Sequence, residues 1–333
     1  MKKIMMLCVA LIGVFTLYQL GSPRVSADEV KDSFSVGTVF SEHQTDKADS
    51  FYDIRWTSGA SDTFGLRITN HADHEKTFLI QLGKARTNST GSINYTDSLP
   101  ETEALKYKLV DLVTIAREVT VPAESSQVVN GTVHFPNEDY NGILIGGLNI
   151  SEKRDTAEKS KAAIQNVISY TIPLVLRGNI DSRPDPEVKF DGLDVKQLTA
   201  ESYSVNTKVD NVQPTLLKGA KFKAAIENAA GKVIDTQDSQ IDITPETKFD
   251  YPVELKGNYP AGEYKALVEI TQDTHHWNYE KKFTIDAAQA KKLAAIQPKE
   301  NFLKKYQLEL IAAAILLVIL IVILLFRWKR SQN

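Results

Sequence analysis

The stretch TFGLRIT at residues 63–69 decides the fold class, because apolar and polar side chains alternate along it. A period of two sends successive side chains to opposite faces of a β-strand, so that one face is buried and the other meets water. The stretch ends at NHAD, residues 70–73, a cluster of residues that favour turns. Residues 63–69 are therefore predicted to form one strand of an antiparallel sheet.

The same period of two dominates residues 31–177, where clusters of turn-forming residues separate the apolar runs. Short strands at regular spacing are typical of antiparallel sandwiches, so an immunoglobulin-like β-sandwich is predicted here. The further predicted strands lie near Thr77–Leu82, Ile93–Thr96, Glu118–Pro122, Gln127–Phe135, Gly142–Leu148 and Val167–Leu176. The glycines in GILIGG, residues 142–147, predict a strand packed closely against another backbone.

A second immunoglobulin-like sandwich is predicted over residues 188–286, after a polar, proline-bearing linker at 178–187. Its predicted strands lie near Tyr203–Val209, Lys221–Glu227, Lys248–Leu255, Gly262–Ile270 and Lys281–Ile285. Between the two apolar ends of the chain, two segments favour helix. Residues 152–163 are charged and predict an exposed loop or short helix, and residues 287–296 are predicted to begin a stalk over 287–306.

The amino terminus has the features of a signal peptide, predicted over residues 1–27. Lys2 and Lys3 form a basic start, an apolar stretch follows, and Val25-Ser26-Ala27 offers small residues for cleavage after Ala27. An uncleaved amino-terminal membrane helix is the alternative interpretation.

The carboxyl terminus predicts a single transmembrane helix over residues 307–326. Leu310 to Phe326 is a run of seventeen apolar residues without a charge. At about 1.5 Å per residue this run spans roughly 25 Å, close to the thickness of a bilayer core. A basic tail, 327–333, is expected to stay in the cytoplasm and to leave the amino terminus outside. The basic and aromatic residues that follow the apolar run directly are Arg327, Trp328, Lys329 and Arg330.

Composition and motifs argue against several classes of function. The net charge is −3, which does not suit a nucleic-acid partner. Cys8 is the only cysteine and leaves with the signal peptide, so the exported part has no disulfides. The sequence contains no nucleophile elbow, phosphate-binding loop or HExxH motif, and His71 with His74 lacks a third metal ligand. We therefore expect no enzyme activity, no cofactor and no metal.

The segment His275-His276-Trp277 is predicted to lie at a hairpin tip, where exposed polar and aromatic residues often bind ligands. His276 and Trp277 are therefore candidate binding residues. A plain turn with Trp277 lying against the sheet explains the same segment equally well.

Several segments, taken in order, resemble the WxL-interacting protein family of low-GC Gram-positive bacteria. In the first domain these are FYDI at 51–54, ARTNSTGSINY at 85–95, EVTVPA at 118–123 and YNGILIGGL at 140–148. Looser matches in the second domain are IDITPETKF at 241–249, PAGEY at 260–264 and WNYEKKFTI at 277–285. Tyr52, Asn88 and Tyr95 lie in these segments and are further candidate binding residues.

The resemblance implies a non-catalytic scaffold at the cell surface. Its first domain is expected to bind peptidoglycan, and its second to engage a WxL-type surface protein and host extracellular matrix proteins. The expected location is the cell membrane, at the wall of a Gram-positive bacterium. A membrane-complex subunit or signal transducer, acting through the carboxyl-terminal helix and tail, is the alternative. The tail, 327–333, is too short to hold a domain, which counts against signalling.

The length of the predicted stalk limits where the second domain can lie. About twenty residues separate Ile285 from the predicted membrane helix, and where they are helical each adds about 1.5 Å. We therefore expect the second domain close to the membrane, beneath the wall, and the first domain further out.

Overall fold

A computed structural model describes residues 34–46, 50–96, 105–153, 168–179, 181–200 and 202–296, together with Ile311 and Leu316. The predicted signal peptide, the tail and nearly all of the predicted membrane helix lie outside these residues. The segment expected to be a loop or short helix lies outside them from residue 154 on. Within the described ranges, no helix is both long and apolar enough to cross a membrane.

The first domain is a sandwich of a four-stranded and a five-stranded sheet. Its elements are β1 (Phe34–Val39), β2 (Tyr52–Arg55), β3 (Ser61–Asn70), β4 (Lys76–Lys84), β5 (Arg86–Thr87), β6 (Ile93–Asn94), the short helix α1 (Leu109–Leu112), β7 (Val113–Ile115), β8 (Glu118–Val121), β9 (Ser126–His134), β10 (Ile143–Glu152) and β11 (Ser169–Arg177). The sheet orders are β1-β3-β9-β7 and β2-β11-β10-β4-β8. All neighbours are antiparallel except β2 and β11, which run parallel.

Buried and exposed side chains alternate along β3, as predicted for residues 63–69. Phe64, Leu66 and Ile68 are buried between the sheets, while Thr63 and Arg67 on the opposite face are exposed. This confirms the predicted strand. The buried face of β3 forms the core together with Phe34 from the same sheet and with Phe78, Leu144, Leu148 and Leu174 from the facing sheet.

The second domain is a sandwich of a three-stranded and a four-stranded sheet. Its elements are β12 (Val188–Thr199), β13 (Ser202–Asn211), β14 (Leu217–Asn228), β15 (Val233–Ile243), β16 (Thr247–Glu254), β17 (Gly262–Gln272), β18 (His275–Ile285) and the helix α2 (Ala287–Ile296). The sheet orders are β12-β13-β16 and β15-β14-β17-β18. The described residues thus form an all-β protein of two sandwiches, and β12 and β15 are strands that the sequence did not predict.

Helix α2 packs onto the second domain instead of extending away from it. Asp286 caps its first turn, because the Asp286 side chain accepts a hydrogen bond from the Gln289 backbone N–H and the Gln289 side chain accepts one from the Asp286 N–H. Leu293 is 1% exposed and belongs to the core of the second domain. The predicted stalk is therefore shortened to the residues after 296.

A hairpin formed by residues 85–95, which includes β5 and β6, joins the two domains; we call it the interdomain hairpin. The Thr87 hydroxyl donates to the Asp242 carbonyl oxygen at 2.8 Å and accepts from the Thr244 N–H at 2.9 Å. Asp242 N–H donates to the Gly91 carbonyl oxygen at 2.7 Å. A small apolar cluster surrounds these contacts; its members are Phe51, Ala85, Ile93, Tyr95, Ile143, Ile145, Val175 and Leu216. One of the segments that carry the family resemblance is thus an interdomain contact.

Candidate binding grooves

A groove of about 610 Å³ runs along the outer edge of β4 in the first domain; we call it the edge groove. Its other wall is the chain from Val110 to Arg117. The polar and aromatic side chains that line it are Gln81, Tyr95, Thr96, Thr114, Arg117 and Asn149.

The edge groove is open because β8 covers only the beginning of β4. The two strands pair from Lys76 to Leu79, and one further bond joins Ile80 N–H to the Arg117 carbonyl oxygen at 2.8 Å. Backbone groups of alternate residues point to the same side of a strand, so Leu82 directs its N–H and C=O to the edge that Ile80 uses. No strand within the described ranges pairs with that edge at Leu82.

Two glycines of β10 position the walls of the edge groove. A Cβ on Gly147 would lie 2.7 Å from the Tyr95 Cβ and 2.9 Å from the Tyr95 carbonyl oxygen, so the absence of a side chain lets Tyr95 lie directly on the sheet. On the opposite face, a Cβ on Gly146 would lie 2.5 Å from the Gly83 carbonyl oxygen and would meet the side chain of Leu109. The predicted close packing of GILIGG is confirmed.

The charge of the edge groove is positive. Arg117 is exposed and makes no ion pair with any described residue, and no carboxylate is among the lining side chains that the structure describes. Burial, reinforced by the Asp242 carboxylate, raises the pKa of Tyr95, so its phenol stays protonated and can donate. The amides of Gln81 and Asn149 add hydrogen-bonding groups. The edge groove can therefore hold a polar, anionic ligand.

A second, shallower groove of about 670 Å³ lies on the outer face of the four-stranded sheet in the second domain; we call it the sheet trough. Ala225 and Leu267 face each other in register at its centre. Lys223 lies between Asp238 and Glu269 on the neighbouring strands, and Glu280 adds a third carboxylate. The sheet trough is thus more acidic than the edge groove.

Two residues that the sequence singled out have structural roles. Tyr52 is fully buried in the first core, and its hydroxyl donates to the Gly65 carbonyl oxygen at 2.6 Å. The Asn88 side-chain oxygen accepts from the Thr90 and Ser92 N–H groups and thereby holds the turn of the interdomain hairpin. Of the candidates in the first domain, only Tyr95 lines the edge groove.

In the second domain, Trp277 lies against the sheet and His276 is exposed. The Trp277 ring stacks on the His275 ring with centroids 5.7 Å apart, and it packs against the second core. Trp277 therefore lies on the sheet, as the alternative interpretation expects, but within β18 and not in the turn itself. His276 Nδ1 lies 3.6 Å from a carboxylate oxygen of Glu269, which places His276 beside the sheet trough.

Arg117, Gln81 and Asn149 are groove residues that the sequence did not indicate. Each stands alone within or beside a strand, without a motif, and only the end of the β4–β8 pairing brings them together. In the part of the chain that the structure describes, no three His, Cys, Asp or Glu side chains are grouped to hold a metal ion.

Two family models match consecutive parts of the chain. Residues 34–152 match the model described as "WxL Interacting Protein, peptidoglycan binding domain", and residues 159–295 match "WxL Interacting Protein, host binding domain". Both are binding domains. A search of curated proteins gave no significant match.

Several solved structures are similar to this chain. The class 5 fimbriae chaperone CfaA is 12% identical, with 74% of this chain and 98% of that chain covered and a TM-score of 0.31. The E. coli chaperone DraB is 13% identical, with coverages of 75% and 95% and a TM-score of 0.29. A chain of the CsuC–CsuE complex from Acinetobacter baumannii is 9% identical, with coverages of 68% and 93% and a TM-score of 0.32.

Proposed function

This chain belongs to the WxL-interacting protein family, and we propose that it is a non-catalytic scaffold joining the membrane to peptidoglycan and to a WxL-type surface protein. The matched domains indicate peptidoglycan binding and host binding, as is expected of a surface protein at the cell wall. Beyond these two matches, we propose that the chain is attached to the membrane and that it binds a WxL-type protein.

The edge groove is the proposed peptidoglycan site. The observation that carries this proposal is the lining of the groove, which among the described residues combines a guanidinium, two amides and an aromatic ring without a carboxylate. Peptidoglycan joins N-acetylated sugars to short peptides with free carboxylates. The amide groups and the phenol can form hydrogen bonds with the amide groups of the polymer, and a guanidinium suits a carboxylate.

Filling the edge groove is expected to abolish most of the binding to peptidoglycan. Thr114→Trp places a large ring in the groove from an exposed position on β7, and we expect it to weaken cosedimentation of the full-length protein with purified sacculi by at least about tenfold. Thr63→Trp is the matched control. It lies on the same sheet face, two strands away across Thr132, and should bind as the unchanged protein does. Equal binding by both variants would place the site elsewhere.

The second domain is the proposed site for the WxL-type protein and, as a further partner, host extracellular matrix proteins. The sheet trough supports this proposal because it is a wide polar surface with an apolar centre, on a sheet face that no described element covers. The proposed anchor is the apolar run 310–326, with cleavage after Ala27 and the tail 327–333 in the cytoplasm. Since α2 packs on the second domain, only a short connection would separate that domain from the membrane.

Thr236→Trp is expected to abolish binding of the WxL-type partner without changing the attachment to the membrane. The full-length protein is captured from detergent-solubilised membranes of the native bacterium, and a WxL-domain protein should accompany it. Thr236 is exposed in the sheet trough, so the variant should lose at least about nine-tenths of that partner. Thr284→Trp, exposed on the same face outside the trough, should keep it. Recovery of the chain from the soluble fraction would contradict the anchor, and equal loss by both variants would contradict the trough.

A further inference from the structure

We propose that the edge groove recognises the peptide stem of peptidoglycan and not its glycan strand, an inference that rests on the proposed function of the first domain. The two components of the polymer differ in backbone and in charge. The stem is a short extended peptide with free carboxylates, whereas the glycan strand that carries it is a neutral chain of N-acetylated sugars. Two independent features of the edge groove match the stem.

The first feature is the open backbone edge of β4. Leu82 presents one donor and one acceptor into the edge groove, with the spacing that an adjacent strand uses. One residue of an extended peptide can form both hydrogen bonds with Leu82. It would then occupy the strand position beside β4 that β8 leaves empty. Adding a strand to an exposed sheet edge is a common mode of peptide recognition. Sugars lack the alternating amide groups that such an edge selects.

The second feature is the charge of the groove. Arg117 stands at the point where β8 stops pairing, and its backbone carbonyl oxygen holds Ile80 N–H while its side chain remains exposed. A guanidinium binds a carboxylate through two parallel hydrogen bonds. Among the described residues, no carboxylate lines the groove and competes for it. A neutral glycan would leave this charge unused, whereas a stem carboxylate beside Leu82 would satisfy it.

The side walls suit a peptide with small side chains. Val110 is 46% exposed, and with Leu79 and Ile115 it gives apolar contacts on either side of the open edge. The volume of about 610 Å³ is in the range of sites that hold small ligands. The groove can hold a few residues of one stem peptide. The cross-linked polymer around that stem does not need to enter it.

The test compares two probes with the full-length protein by titration calorimetry. The probes are a disaccharide–tetrapeptide muropeptide and an N-acetylglucosamine hexamer without a stem. We expect the muropeptide to bind and the hexamer to bind at least about tenfold more weakly. Arg117→Gln should weaken muropeptide binding about tenfold, and Arg67→Gln, which removes an exposed arginine from the other sheet, should leave it unchanged.

The outcomes separate this inference from the proposed function. Equal binding of both probes, or an Arg117→Gln variant that binds the muropeptide as the unchanged protein does, would overturn stem recognition while leaving peptidoglycan binding intact. If sacculi and both probes fail to bind, the proposed function of the first domain fails as well.

Discussion

Replacing Asp53 with alanine is expected to lower the free energy of unfolding of the first domain by about 3–5 kcal/mol, the usual cost of removing one partner of a buried ion pair. The Asp53 side chain is 6% exposed and accepts bidentate hydrogen bonds from Arg177, at 2.8 Å from Nε and 2.6 Å from NH2. The pair joins β2 to β11, the one parallel pair among the described strands of the sandwich. Without Asp53, the Arg177 charge stays largely buried and unpaired.

Urea unfolding of the full-length protein measures this effect. Glu118→Ala is the control, because the Glu118–Lys153 ion pair is about half exposed on both sides and should contribute no more than about 1 kcal/mol. Replacing Asp53 and Arg177 together by apolar residues should recover much of the loss, since no charge then remains buried. A loss for Asp53→Ala as small as that for Glu118→Ala would contradict a structural role for this pair.

Replacing Gly91 with alanine is expected to uncouple the two domains. Gly91 has φ = 77°, a backbone conformation that costs a residue with a side chain about 1–2 kcal/mol. Its Cβ would also overlap the Ile241 side chain and lie 3.1 Å from the Tyr251 ring. Relieving these overlaps moves the interdomain hairpin away from β15, so the Asp242 N–H bond to the Gly91 carbonyl oxygen is lost.

Gly231→Ala is the control, because it measures the cost of the backbone conformation without the steric overlap. Gly231 has the same φ of 77° but no atom within 4 Å of an added Cβ. Scanning calorimetry of the full-length protein should therefore show a modest decrease in melting temperature for Gly231→Ala. For Gly91→Ala it should show a larger decrease and separate transitions of the two domains. Identical scans for the two variants would mean that the hairpin does not couple the domains.

Strand prediction succeeded at β3, where one face is buried, but it missed β1, β2 and β7 in the first domain and β12 and β15 in the second. β3 was predictable because Phe64 and Ile68 alternate with exposed residues. β12 was missed because bulges near Gly192 and Leu198 interrupt its register with β13 and shift the side-chain period. β15 was missed because it is an edge strand whose first half carries polar residues on both faces.

The candidate site could be predicted only in part, because a groove depends on where strands stop pairing. Tyr95 was singled out and lines the edge groove, but Tyr52, singled out on the same grounds, belongs to the core. Arg117 carries the charge of the groove, and its importance depends on the end of the β4–β8 ladder. The resemblance to the family singled out residues 85–95, but it did not indicate that this hairpin holds the two domains together.

Amide hydrogen exchange of the full-length protein, with and without muropeptides, tests most directly whether the edge groove is the peptidoglycan site. The Leu82 N–H points into the groove and no described strand protects it, so bound ligand should slow its exchange together with that of residues 114–117. The sheet trough, including Glu269 and Asn278, should exchange at unchanged rates. Unchanged exchange at Leu82 with slowed exchange anywhere else would contradict the account.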